Sequence, residues 1–372
     1  MKEIYLMGRR QMLLGLAAST LTACAAESTG FVSTFSAVDP DPLGAFRLDA
    51  DAEPSAWFAH LQAPKHGKPP TVLALSVGGE DGAFGAGALV GWTSTGQRPE
   101  FDLVTGISSG ALIAPFAFVG PEHDDALRRI YTENDASDIM KLRPFQAVSR
   151  GAIYDTEPLA DLIKSFTPNA FLDLVAARHA QGGRLFIVTS EVETAKAYVW
   201  DMGAIAQAKQ YDLFRQVMRA SAALPGLFSP VVLRYTVGEK TYEETHIDGG
   251  VHMPFLAIPS FAFTTADQKL RGGRIYLIVN NTLNPEPVTV SNSALGISQQ
   301  ALTTMGRANA LASVNATKLF AHENAIDLSV TSIDPNAGIV YDPSERFAKD
   351  YMNNLFAHGA ARARAGNLWE TT

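Results

Sequence analysis

The stretch "DLVTGISSGAL", Asp102 to Leu112, runs from β-branched and apolar residues through Gly-Ile-Ser-Ser-Gly directly into Ala-Leu. Such a run predicts a buried strand, a sharp turn and the start of a helix. The turn, Gly106 to Gly110, has the pattern Gly-x-Ser-x-Gly of a nucleophile elbow, in which the middle serine is exposed at a strained tip. A helix N-terminus directly after that serine can also stabilise developing negative charge. Ser108 is therefore a candidate nucleophile, and the alternative is an ordinary helix N-cap serine.

The rest of the chain alternates apolar, strand-like runs with helical runs. "TVLALSV", Thr71 to Val77, is a short apolar run bounded by proline and glycine, which predicts a buried strand, and helices are expected near 301–322 and 346–363. "RLFIVTSEVETAKAYVWDM" and "YTVGEKTYEETHIDGG" predict hairpins, the second with Gly238 at its turn. Strands that alternate with helices favour an α/β fold with a largely parallel central sheet.

The composition is that of a globular protein, with 372 residues, 47% hydrophobic and 18% charged. The formal net charge of -8 gives no support to a nucleic-acid partner, because such proteins need a basic patch. His, Asp and Glu do not occur at the spacing of a zinc or calcium site, so neither a metal nor another cofactor is expected.

The N-terminal segment has the layout of a secretory signal. Basic residues precede an apolar run over about 12–21, which is too short to span a bilayer and is followed by small residues. We expect 1–23 to be a signal peptide and 24–70 to be a tether and N-terminal extension. The pair Arg9-Arg10 leaves general secretion and twin-arginine export both open.

The only cysteine, Cys24, lies in "LTAC" at the end of this signal. A single cysteine excludes an intramolecular disulfide. Leu21 to Cys24 resembles the lipobox of bacterial lipoproteins, which implies cleavage before Cys24 and acylation of its thiol and new amino group. Because Ala25 rather than aspartate follows, the resemblance implies a lipid anchor in the outer membrane of a bacterial cell envelope, facing the periplasm. The alternative is ordinary cleavage that leaves a free cysteine.

A second glycine-rich stretch, "SVGGEDGAFGAG", also lies between a predicted strand and a predicted helix. A dinucleotide or phosphate loop does not fit, because Val77 occupies the first position of the glycine pattern and no Walker lysine follows. Successive N–H groups of Gly78 and Gly79 at the start of a helix would suit an oxyanion hole. The alternative is a structural glycine-rich turn.

The stretch "HIDGGVHMP" places Asp248 at the end of a predicted strand, before two glycines. This pattern is common in Asx-type turns. It would also hold a carboxylate in a loop close to Ser108, which lies 140 residues earlier (248 − 108) in the chain.

Taken in order, "VGGEDG", "GISSG" and "DGG" resemble the motifs of the patatin-like phospholipases and of the related cytosolic phospholipase catalytic domains. "RASAALPGLFSPV", Arg219 to Val231, is similar to the helix-and-proline segment before the family's aspartate motif. The resemblance covers roughly 72–254. It implies a three-layer α/β fold with a largely parallel central sheet flanked by helices. It also implies a catalytic domain over 71–372 with its motif-bearing core at about 71–260.

The same resemblance implies a lipid acyl hydrolase that acts through an acyl-enzyme, with Ser108 as nucleophile and Asp248 as proton acceptor. The implied oxyanion donors are Gly78, Gly79 and Glu80, and the other motif glycines are Gly82, Gly106, Gly110, Gly249 and Gly250. The chain departs from the family at Val77, where glycine is usual, and at Asp81, where arginine or lysine is usual. An acidic residue at Asp81 would repel anionic head groups. The expected substrate is therefore not restricted to phospholipids and is a membrane lipid or another acyl ester.

Two other functions fit parts of the sequence. A Ser-His-Asp esterase of the α/β-hydrolase type shares the elbow but also needs a histidine. The candidate histidines are His246, His252, His322 and His358. The second alternative is a catalytically inactive lipoprotein that binds lipids or a partner, although such a protein would need neither Ser108 nor Asp248. The sequence leaves the oligomeric state open.

Overall fold

The structure, a computed structural model, describes residues 41–61, 67–142, 152–237, 239–263, 272–284, 290, 292 and 294–371. The expected signal peptide, Cys24 and the expected turn residue Gly238 lie outside the described residues. Of the helices that the structure describes, none is both long enough and apolar enough to cross a membrane.

The strands, in chain order, are β1 (Arg47–Asp49), β2 (Thr71–Leu75), β3 (Leu103–Gly106), β4 (Lys141–Leu142), β5 (Ala152–Asp155), β6 (Arg184–Glu191), β7 (Lys196–Asp201), β8 (Gly226–Phe228), β9 (Val231–Val237), β10 (Lys240–Asp248), β11 (Arg274–Val279), β12 (Asp327–Ser332) and β13 (Glu370–Thr371).

The α-helices are α1 (Pro54–His60), α2 (Gly82–Ser94), α3 (Ser109–Val119), α4 (Asp124–Thr132), α5 (Ala136–Ile139), α6 (Glu157–Phe166), α7 (Asn169–Ala180), α8 (Met202–Gln207), α9 (Tyr211–Ser221), α10 (Ala294–Glu323) and α11 (Lys349–Arg364). Short 3-10 helices cover Gly79–Asp81, Pro121–His123, Gly249–Val251 and Ser260–Phe263.

The central sheet of the described residues has ten strands and a parallel centre in the order β6-β3-β2-β11-β12. Its central strands are buried along almost their whole length, as expected for a parallel sheet that is covered on both faces. Antiparallel strands extend it at both edges, with β7 and β1 beyond β6, and β13 beyond β12. Strands β4, β5 and β8 form a small separate sheet. The predicted α/β fold with a mostly parallel sheet is confirmed.

Two hydrophobic cores lie on opposite faces of this sheet and make three layers. One core joins the sheet to α2, α3, α4, α7, α9 and α11. The other joins it to α1, to the apolar segment 255–262 and to α10. Because both faces of the sheet are covered, its loops at the carboxyl ends of the parallel strands are the places left for a site.

Residues 41–61 of the expected extension pack onto this sheet. Strand β1 pairs with β7, and Trp57 of α1 is buried against the rings of Phe186 and Phe261. The chain thus adds an edge strand and a helix to the sheet before the first strand that the sequence predicted.

Several element boundaries differ from the expectations. Strand β2 ends at Leu75, because Ser76 and Val77 already belong to the glycine-rich loop. Helix α10 begins at 294 instead of 301, and α11 begins at 349 instead of 346. Strand β12 was not predicted, although it completes the parallel centre beside β11. Both hairpins, β6–β7 and β9–β10, were predicted correctly.

The register of β6 positions the candidate site. On one edge, β6 pairs with β3 over 184–187 and then with β10 over 189–191, while β7 occupies its other edge. The last paired residue of β3, Gly106, lies opposite Ile187, and Asp248 at the end of β10 lies opposite Thr189. The end of β3 and the end of β10 therefore meet beside the centre of β6.

Candidate active site

Ser108 lies at the turn between β3 and α3. Its backbone has φ 56° and ψ -122°, a conformation that a residue with a side chain keeps only when its surroundings hold it there. The Ser108 N–H donates to the Oγ of Ser221 at 3.0 Å, and the Ser221 hydroxyl donates to the carbonyl oxygen of Val188 at 2.7 Å. This strained turn, held by a buried serine, is the geometry of a nucleophile elbow.

The N-cap alternative does not account for this serine. Ser108 occupies the N-cap position of α3, but its side chain makes no capping hydrogen bond. The hydroxyl instead lies close enough to the carboxyl group of Asp248 to lower its pKa. The side chain is therefore directed at the carboxylate and not at the helix.

Two glycines allow the elbow to pack against the neighbouring strand. A Cβ on Gly106 would lie 2.3 Å from the carbonyl oxygen of Gly110, and a Cβ on Gly110 would lie 2.4 Å from the carbonyl oxygen of Leu75. Neither distance is possible for a real side chain, so both positions need glycine. The first turn of α3 consequently lies directly against the end of β2, where the glycine-rich loop begins.

Asp248 ends β10 and is almost fully buried, with 3% of its surface exposed. Its Oδ1 accepts a hydrogen bond from the Gly250 N–H at 2.7 Å, which is the turn that Asp-Gly sequences commonly form. Its own N–H donates to the carbonyl oxygen of Ala223, just after α9. Asp248 therefore forms the Asx-type turn and also lies close to Ser108, and the turn orients its carboxylate.

Burial raises the pKa of the Asp248 carboxyl from its usual 3.8 to about 7, although the Ser108 hydroxyl and the Gly250 N–H both act in the opposite direction. A carboxylate in water is too weak a base to hold a proton at neutral pH. A carboxyl group with a pKa near neutrality can both accept and return a proton there.

The oxyanion loop, defined here as residues 77–82, connects β2 to α2. Gly79 has φ 57°, and within the described residues no protein group accepts a hydrogen bond from the N–H of Gly78 or of Gly79. A Cβ on Gly78 would lie 2.3 Å from the carbonyl oxygen of Asn280. The loop therefore keeps two backbone donors unpaired, which is the arrangement that an oxyanion hole requires.

Asn280 supports this loop from the end of β11. Its N–H donates to the Oγ of Ser76 at 2.8 Å, and its Nδ2 donates to the carbonyl oxygen of Ser76 at 3.0 Å. Ser76 in turn donates to the carbonyl oxygen of Val77 at 2.7 Å. Because Asn280 is fully buried, these bonds hold the start of the loop in a dry environment where hydrogen bonds are strong.

Close glycine contacts bring the three motifs together. A Cβ on Gly82 would lie 2.7 Å from the Cβ of Ser109, and a Cβ on Gly250 would lie 2.7 Å from the Cγ1 of Val77. A Cβ on Gly249 would lie 2.4 Å from the carbonyl oxygen of Val188. The oxyanion loop therefore contacts both the elbow and the aspartate turn.

The histidines of the alternative esterase have other partners. The ring of His246 bonds to the Oγ1 of Thr189 at 2.9 Å and to Glu244 at 3.1 Å, so both nitrogens are used in the core. The ring of His252 bonds to Ser190 and to the carbonyl oxygen of Ala195. The two remaining candidates lie on helices, His322 on α10 and His358 on α11 beside the ring of Phe84. None of these four rings forms a hydrogen bond with Ser108 within the described residues, whereas the Ser108 hydroxyl is close enough to Asp248 to lower the pKa of its carboxyl group.

Sequence reasoning missed two residues that hold the site. Ser221 lies in the quoted segment before the aspartate motif, and its position next to two alanines was the available signal. Asn280 follows an apolar strand, and no feature of the sequence marks it. In the part of the chain that the structure describes, no three His, Cys, Asp or Glu side chains are grouped to hold a metal ion.

A serine at a strained elbow beside a buried carboxylate, with unpaired backbone N–H groups close by, is typical of serine hydrolases. The family model "Patatin-like phospholipase" matches residues 73–259, about half of the 372-residue chain, and includes all three motifs. The chain belongs to the patatin-like phospholipase family, whose members are lipid acyl hydrolases in general. The sequence-based assignment to this family is confirmed.

Two solved structures are similar to this chain. VipD from Legionella pneumophila has 11% sequence identity and a TM-score of 0.39, with 84% of this chain and 70% of that chain covered. The type III effector protein ExoU has 13% identity and a TM-score of 0.30, with 82% of this chain and 54% of that chain covered. No curated protein sequence matches the chain.

Proposed function

We propose that the protein hydrolyses acyl esters of lipids, with Ser108 as nucleophile and Asp248 as direct proton acceptor. The observation that supports this proposal is the proximity of the Ser108 hydroxyl to the buried Asp248 carboxyl, whose pKa burial raises to about 7 although Ser108 lowers it. A serine hydroxyl is a weak nucleophile and needs such a base within hydrogen-bond reach.

In acylation, the ionised Asp248 accepts the proton while the Oγ of Ser108 bonds to the ester carbonyl carbon. The electron pair of the carbonyl double bond moves to its oxygen, and the N–H groups of Gly78 and Gly79 stabilise that oxyanion. When the oxyanion collapses, the bond to the leaving alcohol breaks and the protonated Asp248 gives its proton to that alcohol. The acyl group is then an ester of Ser108.

In deacylation, Asp248 accepts a proton from water while the water oxygen bonds to the acyl carbon. The same backbone donors stabilise the second oxyanion. Its collapse releases the fatty acid, and Asp248 returns the proton to the Oγ of Ser108. Each cycle consumes one ester and one water and restores both side chains.

The charges around the oxyanion loop favour head groups without net negative charge. Glu80 and Asp81 lie on this loop, and Arg346 forms an ion pair with Glu80. Asp81 stands where the family usually has arginine or lysine, and an acidic side chain on this loop repels anionic head groups. We expect zwitterionic or uncharged acyl esters to be hydrolysed faster than anionic phospholipids of the same acyl chains.

Turnover of a soluble p-nitrophenyl acyl ester by the purified protein tests the proposed function. Ser108→Ala should lower kcat by at least about 1000-fold, because the nucleophile is lost. Ser109→Ala is the matched control, since it removes a buried hydroxyl from the next position, and its kcat should stay within about threefold of the wild type. Undiminished turnover by Ser108→Ala would overturn the proposal.

We also propose that acylated Cys24 holds the protein at the outer membrane of a bacterial cell envelope, on the periplasmic side. The support is the LTAC sequence at the end of an apolar run. Several acyl chains on one residue give durable anchoring that a single chain does not.

A further inference from the structure

The segment 339–351, which runs from the connection after β12 into the first turn of α11, lies against the oxyanion loop, although it is outside the part of the chain that carries the family motifs. Arg346 donates from Nε and Nη2 to the two carboxylate oxygens of Glu80, at 2.7 and 2.8 Å. Tyr351 donates to the Oδ1 of the adjacent Asp81 at 2.6 Å. Two consecutive loop residues are thus bonded to one segment that is more than 260 positions away in the chain.

Helix packing brings this segment to the loop. Helix α2 begins at the oxyanion loop, and α11 lies along it in the same direction. A Cβ on Gly87 would lie 2.0 Å from the carbonyl oxygen of Phe356, and a Cβ on Gly91 would lie 2.6 Å from Ala360. Because the helix backbones touch at these glycines, the start of α11 lies beside the start of α2.

The ion pair compensates an otherwise costly charge. Glu80 is 3% exposed, and a buried carboxylate needs both a counter-charge and hydrogen bonds. The planar guanidinium of Arg346 supplies both through its paired donors. Its Nη2 is also 3.7 Å from the position that a Cβ on Gly79 would take, so the guanidinium lies against the residue whose N–H is the proposed oxyanion donor.

The segment is itself fixed where it meets the loop. Phe347 is buried and has φ 55°, a conformation that an aromatic residue keeps only when packing holds it there. Its ring packs against Phe228, with ring centroids 6.1 Å apart, and the Arg346 guanidinium lies 5.6 Å from the Phe347 ring. Burial and the nearby Asp81 raise the pKa of Tyr351, so its hydroxyl stays protonated and donates.

We propose that Arg346, assisted by Tyr351, is a positioning residue that fixes the oxyanion loop and so aims the N–H groups of Gly78 and Gly79 at the developing oxyanion. This inference rests on the proposed function. Donors that are already oriented stabilise the transition state without reorganisation, and a loop that can move loses much of that effect. The residue acts through Glu80 and does not touch the substrate.

Steady-state kinetics of Arg346→Met on the soluble ester, in the full chain, test this role. We expect kcat to fall about 10- to 100-fold while KM changes less than about threefold, because oxyanion donors act on the transition state. The pH of half-maximal activity should stay unchanged, since Arg346 has no hydrogen bond with Asp248. The matched control is Arg274→Met, which breaks an exposed pair with Asp327 at the amino ends of β11 and β12, and it should keep the wild-type kcat.

The double variant Glu80→Gln/Arg346→Met separates positioning from stability. It leaves no unpaired buried charge, so its melting temperature should recover relative to Arg346→Met. Its kcat should nevertheless stay as low as that of Arg346→Met, because the loop has still lost its anchor. Recovery of wild-type kcat in the double variant, or an undiminished kcat in Arg346→Met, would overturn the proposal.

Tyr351→Phe keeps the test decisive if Arg346→Met does not fold. It removes one hydrogen bond to Asp81 and should lower kcat about three- to tenfold with little change in KM; an unchanged kcat would count against the proposal. If the wild-type protein itself hydrolyses no ester, the proposed function fails. If the wild type is active and the variants are fully active as well, the positioning role of Arg346 fails and the proposed function stands.

Discussion

Replacing Asp248 by asparagine should make the protein inactive and, at neutral or alkaline pH, more stable. The folded protein must hold this carboxyl group in a site where it is 3% exposed, and burial there raises its pKa to about 7. Asparagine has the same shape, keeps an oxygen for the Gly250 N–H, and carries no charge. The variant therefore removes the ionisation and preserves the turn.

The size of the effect follows from the two pKa values. Because the folded-state pKa of Asp248 is raised above its usual 3.8, the stability linked to this group is fully present below about pH 4 and is lost as the pH rises to about 7. A difference of about 3 pKa units costs about 4 kcal/mol of unfolding free energy at pH 8 and about 2 kcal/mol at pH 5. The stability of Asp248→Asn relative to the wild type should therefore increase by about 2 to 3 kcal/mol between pH 5 and pH 8.

Chemical denaturation of both proteins at pH 5 and pH 8 measures this difference. Ser108→Ala is the control for loss of activity alone, because it should be inactive but keeps the ionisable carboxyl group of Asp248. Its stability relative to the wild type should therefore not increase between pH 5 and pH 8. The wild-type kcat/KM should also fall about tenfold per pH unit below about pH 7, because a protonated Asp248 cannot accept the serine proton. If the difference in unfolding free energy between Asp248→Asn and the wild type stays constant or shrinks between pH 5 and pH 8, the raised pKa is refuted. The proposed role of Asp248 as a base near neutral pH is refuted with it.

Three further predictions test the assignment of roles. An organophosphonate serine probe should label Ser108 and leave Ser109 unmodified, because only the former hydroxyl is aimed at the base; peptide mapping of the adduct to Ser109 would contradict the elbow. Alanine variants of the four candidate histidines should each keep kcat within about tenfold of the wild type; the histidines are His246, His252, His322 and His358. A folded histidine variant that is as inactive as Ser108→Ala would instead indicate a Ser-His-Asp triad. Cys24→Ser should move the protein from the membrane fraction to the soluble fraction, and unchanged fractionation would place the anchor elsewhere.

The chemistry-bearing residues of the site were predictable from sequence because each lies in a local pattern. Ser108 lies between two glycines after a β-branched run, and Asp248 lies before two glycines after another strand-like run. The backbone demands of such turns are local, so a few adjacent residues are enough to indicate them. The structure places both residues where these patterns predict, Ser108 in the turn after β3 and Asp248 at the end of β10.

The relation between these turns was not predictable from local patterns. It depends on β6 pairing first with β3 and then with β10 along one edge, and a register is set by the whole hydrophobic pattern of the sheet. The edge strand β1 was missed for a similar reason, since three residues carry too little periodicity to identify a strand. Strand β12 has only two apolar residues, Leu328 and Val330, so it lacks the continuous apolar run that marks a buried parallel strand.

Two of the residues that offset the costs of the site, Ser221 and Arg346, are ones that sequence reasoning missed. A non-glycine residue at positive φ, a buried carboxyl group with a raised pKa and a buried Glu80 each destabilise the folded chain. The Ser221 hydroxyl accepts a hydrogen bond from the strained Ser108, and the Gly250 N–H donates to the Asp248 carboxyl group. Arg346 forms an ion pair with Glu80. Local rules are broken at these positions because the proposed chemistry needs the strained serine, the weakly acidic base and the shaped loop. Ser221 and Arg346 come from distant parts of the chain, which is why local patterns do not indicate them. Removing a cost, as in Asp248→Asn, should stabilise the fold, whereas removing a compensating group, as in Arg346→Met, should destabilise it.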